Sequence, residues 1–358
     1  MIPVTKTWLP DKKKYLAYID NIYQNNWVTN RGPLVRELEI RLAEYLGVKN
    51  VILVANGTMA LETAYRLLKL KGDVITTPFS FVATTSSLVV NGLNPIFADI
   101  DPNTFNIDPN NVEHTITSKT SAIVATHVFG NACEVQQIDK IAKKYNLKVI
   151  YDAAHTFGIK YKNESLLNHG DISILSFHAT KIFHTIEGGA LIINDDALAE
   201  EARLLINFGI DGPDSVKALG INAKMNEFEA AMGLCMLDDI DLIIQKLQEI
   251  YEYYYIELKD LVTFQQWNAN ATNNYSYCPV IFNSEKQRQK VESALLVESI
   301  FPRRYFTPSL DTLSYVSTKD KMEISQDISS RILCLPIYPT LDRKEQDKII
   351  KIIKENLL

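Results

Sequence analysis

Cysteine is scarce in this chain of 358 residues: there are four, and they lie far apart in the sequence. None belongs to a CxxC pair, and the four are Cys133, Cys235, Cys278 and Cys334. This spacing predicts neither a disulfide framework nor a zinc site. Free thiols of this kind are typical of a reducing compartment.

An excess of positive charge and long apolar runs are also absent. The net charge is −6, from 37 Lys and Arg against 43 Asp and Glu. This balance argues against nucleic acid or an anionic membrane as the main partner, but it leaves room for a small anion in a local positive pocket. No apolar run approaches the ~20 residues of a membrane span. The opening MIPVTKTWLP has no apolar core of a signal peptide, so a cytoplasmic protein is expected.

Three common ligand-binding motifs are missing as well. The chain has no GxGxxG fingerprint of a dinucleotide site and no GxxxxGK[ST] phosphate loop. It also lacks the GxSxG nucleophile elbow of the α/β hydrolases. The motifs therefore give no support for a dinucleotide site, a phosphate loop or a serine hydrolase.

What is present is an alternation of apolar strands and amphipathic helices. The composition, 46% apolar and 22% charged, is that of a globular protein, and the length predicts two domains. The predicted strands include VILVAN, DVITTP, PIFADI, SAIVATHVFG and KVIYDAAH. This order predicts an α/β fold with a mostly parallel sheet flanked by helices in a large domain, residues 1–240. A smaller α/β domain is expected over residues 241–358.

The stretch DISILSFHATKIFHTIEGGALIIN, residues 171–194, predicts a strand, a turn carrying Lys181, a Gly-Gly turn and a second strand. Two buried strands would place the lysine rigidly, as a reactive amine requires. The alternative is a solvated loop lysine. In parallel sheets, ligands bind beyond the carboxyl ends of the strands, so polar residues at other strand ends help to decide between the two.

Several such residues are found, and together they meet the needs of pyridoxal phosphate (PLP). Gly57 and Thr58 open a helix, where free amides favour a phosphate, and Ser176 adds a hydroxyl. Asp152 ends a strand and can face the ring nitrogen. A carboxylate about 3 Å from a pyridinium contributes roughly 5 kcal/mol at an effective dielectric of about 20. The aldehyde needs a lysine, for which Lys181 is the candidate. Taken singly, each residue has a structural alternative as a cap, a core residue or a solvated side chain.

Five segments resemble the motifs of one family, the sugar-nucleotide-dependent PLP aminotransferases of the DegT/StrS type, which have fold type I. They are NGTMAL, TTPFSFVAT, IYDAAHTFG, SFHATKIFHTIEGGALI and GINAKMNEFEAAMG. FADIDPNTFNIDP, VFGNACE and PRRYFTP are similar to the branch that aminates dTDP-linked 4-keto-6-deoxy sugars to 4-amino-4,6-dideoxyglucose.

The resemblance implies roles for individual residues. Lys181 would hold the cofactor as a Schiff base and carry protons. The cofactor would be bound by Gly57, Thr58, Phe81, Asp152, His155, Ser176, Lys181 and Asn222, with Asn222 reaching the phosphate of a neighbouring subunit. The substrate would contact Trp27, Thr29, Asn30, Lys224, Arg304 and Tyr305. No metal is expected.

The resemblance also implies a homodimer with shared active sites and an activity. L-Glutamate would give its amino group to C4 of a dTDP-linked keto sugar, for O-antigen or other surface polysaccharide synthesis. A 3-keto sugar aminotransferase of the same family is the alternative. A PLP-binding regulator without turnover is a second alternative from a different functional class.

Overall fold

The computed structural model describes residues 1–316 and 321–357. Its strands are β1 (Ile2–Pro3), β2 (Asn50–Val54), β3 (Asp73–Thr76), β4 (Asn94–Phe97), β5 (Thr120–Thr126), β6 (Lys148–Asp152), β7 (Lys160–Tyr161), β8 (Glu164–Ser165), β9 (Ile172–Ser176), β10 (Gly189–Ile193), β11 (Thr263–Phe264), β12 (Pro279–Ile281), β13 (Ile300–Phe301) and β14 (Ile332–Cys334). Its α-helices are α1 (Lys12–Asn25), α2 (Pro33–Leu46), α3 (Gly57–Leu67), α4 (Val82–Val90), α5 (Pro109–Thr115), α6 (Val135–Tyr145), α7 (Asp196–Leu205), α8 (Glu227–Leu258), α9 (Glu285–Val297), α10 (Glu323–Arg331) and α11 (Arg343–Leu357).

A seven-stranded sheet with the order β2-β10-β9-β6-β5-β3-β4 forms the centre of the molecule. The neighbours β9, β6, β5, β3 and β4 run parallel, whereas β10 is antiparallel to both β9 and β2. The strands are mostly apolar, with polar residues largely at their ends, because helices cover both faces of the sheet. The α/β fold with a mostly parallel sheet flanked by helices is therefore confirmed.

Local sequence explains where the helices next to the cavity begin. The Asn56 side chain caps α3 by accepting a hydrogen bond from the Met59 amide at 2.9 Å. Asn226 and Glu229 form a reciprocal capping box at the start of α8. Glu227 is buried, and its carboxylate accepts from the Leu34 and Val35 amides in the first turn of α2. These contacts fix the ends of three helices relative to the sheet.

The C-terminal part of the chain is built on the antiparallel sheet β11-β12-β14, against which α9 packs. The helix α8 runs from Glu227 to Leu258 and crosses residue 240. Strand β1 pairs with β13, so the first residues of the chain contact this part. A large unit of residues 1–240 and a small unit of residues 241–358 remain our proposal for the domain division.

Asn274 joins the C-terminal part of the chain to the central sheet by hydrogen bonds. Its side-chain amide donates to the backbone carbonyls of His155 and Phe157, at 2.9 and 3.1 Å. The residues that follow therefore lie beside the ends of β6 and β9. Among the residues with described structure, no helix is long and apolar enough to cross a membrane. The four cysteines are buried and free.

Candidate active site

A cavity of about 380 Å³ lies beyond the carboxyl ends of the central strands. Seven of the residues predicted to bind the cofactor line it, and they are Gly57, Thr58, Phe81, Asp152, His155, Ser176 and Lys181. Its size is within the usual range of about 300–1,000 Å³ for a small-molecule site. One edge of the sheet therefore brings together residues that are up to 124 positions apart in the sequence.

Lys181 lies in the turn between β9 and β10. The turn is held by backbone hydrogen bonds, among them one from the Lys181 amide to the His178 carbonyl at 2.8 Å. The side-chain Nζ donates to the Tyr277 hydroxyl at 3.2 Å. Burial lowers the pKa of the Lys181 amine to about 8, and the charge of Asp152 opposes that shift. At pH 7 roughly a tenth of the amine is thus neutral, far more than for an ordinary lysine, and the neutral form is the nucleophile.

Asp152 is the last residue of β6 and is buried. It accepts hydrogen bonds from the Thr84 hydroxyl at 2.6 Å and from the Ala154 amide at 3.2 Å. Burial raises the pKa of the Asp152 carboxyl, while the Thr84 hydrogen bond counteracts it. No ion pair joins Asp152 to any cation of the described residues. A buried carboxylate without a counter-ion fits the protonated ring nitrogen of a pyridinium.

The other end of the cavity is formed by the first turn of α3 and the end of β9. A Cβ atom at position 57 would lie 3.0 Å from the Ser176 Cβ, which is tighter than an ordinary contact. Glycine therefore lets the backbone approach Ser176 closely. The helix start thereby presents its amides next to the Ser176 and Thr58 hydroxyls. Free amides at a helix start bind phosphate well, and hydroxyls add further donors. This end of the cavity fits the PLP phosphate.

His155 is buried between the aromatic rings of Phe129, Phe306 and Tyr277. Its Nδ1 accepts from the Phe129 amide at 3.1 Å. Burial lowers the pKa of the imidazole far below its usual value, so the ring is neutral and Nε2 carries the proton. A neutral imidazole with one fixed donor suits a cofactor hydroxyl. Phe81, at the start of α4, is 59% exposed and lines the cavity.

Most residues predicted to bind substrate lie outside the cavity. Of the predicted substrate residues, Tyr305 lines the cavity. The others do not, and they are Trp27, Thr29, Asn30, Lys224 and Arg304. Asn222, predicted to bind the cofactor, does not line the cavity either. The indole of Trp27 donates to the Thr29 carbonyl at 2.6 Å. Lys224 donates to the Asn222 side chain at 2.8 Å on an exposed surface. The Arg304 guanidinium points away and donates to the Ser329 carbonyl at 3.3 Å.

Sequence reasoning missed three residues with evident roles in the cavity. Tyr277 holds the Lys181 amine, Thr84 holds Asp152, and Arg303 supplies the cavity with an arginine. Arg303 forms no ion pair with a described residue. Thr84 could have been found, because it lies in the TTPFSFVAT segment just after a strand end. Tyr277 and Arg303 come from weakly patterned segments that carry no such signal.

Comparison with known proteins identifies the class that this fold and site define. The family model of the DegT/DnrJ/EryC1/StrS aminotransferases matches residues 10–354, and the chain belongs to this family. It is accordingly a sugar-nucleotide aminotransferase, as the sequence predicts. Members of the family depend on PLP, and the cavity residues described above fit that cofactor.

Two relatives of known name extend the match over the whole chain. The chain is 42% identical over 359 residues to the dTDP-4-amino-4,6-dideoxy-D-glucose transaminase of Shigella dysenteriae, covering 98% of both sequences. It is 39% identical to the Escherichia coli enzyme of the same name, again with 98% of both covered. The solved structure of DesI, in the presence of its TDP-sugar product, superposes with a TM-score of 0.92 at 33% identity, covering 99% of this chain and 91% of that one.

Proposed function

We propose that the protein transfers the amino group of L-glutamate to C4 of dTDP-4-dehydro-6-deoxy-D-glucose, giving dTDP-4-amino-4,6-dideoxyglucose. The observation that carries the proposal is the juxtaposition of Lys181 with an unpaired buried carboxylate, Asp152, in one cavity. The full-length identity of 42% to a transaminase of that name supports the choice of sugar.

PLP is the proposed cofactor, and when bound it supplies an electron sink that lowers the cost of removing a proton from the amino donor's α-carbon. Lys181 would be its covalent anchor. Asp152 would neutralise the ring nitrogen, and Phe81 would pack on the ring. The amides of Gly57 and Thr58, with the Ser176 hydroxyl, would bind the phosphate. The Nε2 proton of His155 would be available to the ring hydroxyl.

Lys181 also serves as the proton carrier. Once the amino donor has displaced it, its amine is free and must accept a proton from one carbon and return it to another. Efficient transfer requires a pKa near the working pH, and burial brings the pKa of Lys181 to about 8. The same side chain acts in both half-reactions, first with glutamate and then with the keto sugar.

A homodimer with shared sites accounts for the residues that lie outside the cavity. Asn222 is exposed and does not line its own subunit's cavity, which supports a role at the phosphate of the neighbouring one. Exposed apolar side chains lie on the segment that precedes it, with Leu219 96% exposed and Val216 72% exposed. Exposed apolar side chains on one segment support an interface there. Lys224, Trp27, Thr29 and Asn30 would line the shared sugar pocket.

A 3-keto sugar is the second candidate substrate. The chain is 30% identical over 348 residues to the dTDP-3-amino-3,6-dideoxy-α-D-galactopyranose transaminase of Aneurinibacillus thermoaerophilus, below the 42% of the 4-amino relative. The third candidate is a regulator that binds PLP without turnover. We place the product in the cytoplasmic synthesis of O-antigen or another surface polysaccharide.

Parallel assays decide among these candidates. The purified protein is incubated with L-glutamate and either the 4-keto or the 3-keto isomer of the dTDP-linked sugar, and the aminated product is identified by mass and NMR. We expect the 4-keto isomer to be converted with the higher kcat/KM. Preference for the 3-keto isomer would replace the proposed substrate, and PLP binding without amination of either would favour the regulator.

A further inference from the structure

Tyr277 is the one described residue whose side chain hydrogen-bonds to the Lys181 amine, with Nζ 3.2 Å from the tyrosine hydroxyl. The amine makes no ion pair with Asp152, although that carboxylate is near enough to influence its pKa. Of two potential partners, the amine is therefore held by the neutral one. This choice leaves Asp152 free for the ring nitrogen.

The surroundings of Tyr277 fix its hydroxyl in place. The ring lies 4.6 Å from that of His155 and 5.4 Å from that of Phe129, measured between centroids. The segment before it is tied to the central sheet by Asn274, and the next residue accepts at its carbonyl from the Leu335 amide at 2.9 Å. A group whose own conformation is locked by packing and hydrogen bonds can hold a flexible partner.

Lys181 is such a flexible partner. Its amine sits on a four-carbon stem, and in the proposed reaction it is released in each half-reaction and must stay beside the reacting carbons. On the basis of the proposed function, we propose that Tyr277 is a positioning residue that acts through its hydroxyl. It holds the free Lys181 amine at the reacting carbons and prevents it from pairing with Asp152.

The chemistry of the hydroxyl suits both states of the amine. Burial raises the pKa of Tyr277 well above its usual value, so the hydroxyl stays protonated throughout the working range. It accepts from the ammonium form of Lys181 and donates to the lone pair of the neutral form. The contact therefore persists when Lys181 takes up and returns a proton.

Tyr277→Phe tests the proposal because it removes one oxygen and keeps the ring packing. We expect kcat to fall about 10- to 100-fold, the loss that a misplaced reacting group causes, with the KM of each substrate changed less than about twofold. A second readout uses cofactor-free protein mixed with PLP, followed by visible absorbance. In Tyr277→Phe the rate of PLP association should fall as well. The midpoint of its pH dependence should move up from about 8, because the released amine then pairs with Asp152 and its pKa rises.

Tyr275→Phe is the matched control. It makes the same change two residues away, where the ring packs on Tyr251 at 5.5 Å and does not line the cavity. Rates and pH midpoint should match the wild type. The proposal is overturned if Tyr277→Phe leaves kcat and the PLP association rate unchanged. It is also overturned if the melting temperature of Tyr277→Phe falls by more than about 10 °C while the midpoint of the pH dependence stays unchanged, since the oxygen would then be structural.

The two proposals fail in distinguishable ways. If wild-type protein binds PLP at Lys181 but aminates no keto sugar, the proposed function fails, while the effect of Tyr277→Phe on PLP association still tests the positioning role. If the sugar is aminated and the two tyrosine variants behave alike, the proposed function stands and the positioning role is wrong.

Discussion

The two sides of the cavity are built in different ways. The strand-end residues lie at or just after the ends of β2, β6 and β9, and all of them line the cavity; they are Gly57, Thr58, Asp152, Ser176 and Lys181. The loop residues, Trp27, Thr29, Asn30, Asn222 and Lys224, precede α2 or α8, and none of them lines it. The first set lies at the ends of the hydrogen-bonded sheet and is buried or half-buried. The second set is exposed apart from the half-buried Lys224, although the backbone at Asn222 and Lys224 also bridges Asn207 and Val54.

This difference separates the two tasks of the site. Chemistry at the cofactor needs groups held within a fraction of an ångström, and strand ends of a buried sheet provide that precision. A large nucleotide-sugar must be contacted over a longer distance, which exposed loops allow and the second subunit of the proposed homodimer would extend. We therefore expect substitutions in the strand-end set to act on kcat and those on the substrate side to act mainly on KM.

Asp152→Asn should have the largest effect among these substitutions. The amide keeps the shape but cannot neutralise a protonated ring nitrogen, so the single-turnover rate with glutamate should fall about 10²–10³-fold. Thr84→Val is the matched control: it removes a hydrogen bond to Asp152 and keeps the charge, and should cost about tenfold or less. Equal losses in both variants would contradict a role for the carboxylate charge.

Arg303 and Arg304 test the substrate side of the comparison. Arg303→Gln should raise the KM of the anionic substrates about 10- to 100-fold, the range for loss of a charged hydrogen bond, because its guanidinium lines the cavity without an ion-pair partner among the described residues. Arg304→Gln should leave KM within about twofold and lower the melting temperature, because its guanidinium binds the Ser329 carbonyl. Steady-state kinetics and thermal unfolding of both variants check this, and the reverse order would restore Arg304 as the substrate residue.

The pH dependence of PLP association compares Lys181, just beyond a strand end, with Lys224, which is half-buried outside the cavity. The attacking amine must be neutral, and the pKa of Lys181 is about 8, so the rate should rise with pH and level off above that value. Between pH 7 and pH 9 we expect about a tenfold increase. Lys224→Ala should leave this profile unchanged, since Lys224 lies outside the cavity. A midpoint near the ordinary lysine value of about 10.4 would show that Lys181 is not desolvated.

How far the sequence predicts the site follows from the same contrast. Asp152 and Lys181 were predictable because apolar strands are visible in the sequence and the sheet brings their carboxyl ends to one edge. The Gly-Gly turn likewise indicated a chain reversal, which the structure realises as the antiparallel β10. The position of β10 between β2 and β9 was not predictable, since an apolar run does not specify its neighbours.

Tyr277 and Arg303 show the limit of sequence reasoning. Both reach the cavity through tertiary contacts of the C-terminal part, such as the Asn274 hydrogen bonds and the bridge between Arg303 and Cys334. No periodicity in those segments indicates which of the two adjacent arginines lines the cavity. The packing of the C-terminal part on the central sheet decides it.

The visible absorption spectrum of the purified protein tests the central claim most directly. With PLP added, the wild type should show the absorbance of a Schiff base, and L-glutamate should bleach it as the amino group is transferred. Lys181→Ala should show neither the Schiff-base band nor amination of the keto sugar. A Lys181→Ala protein that still aminated the sugar would contradict the account.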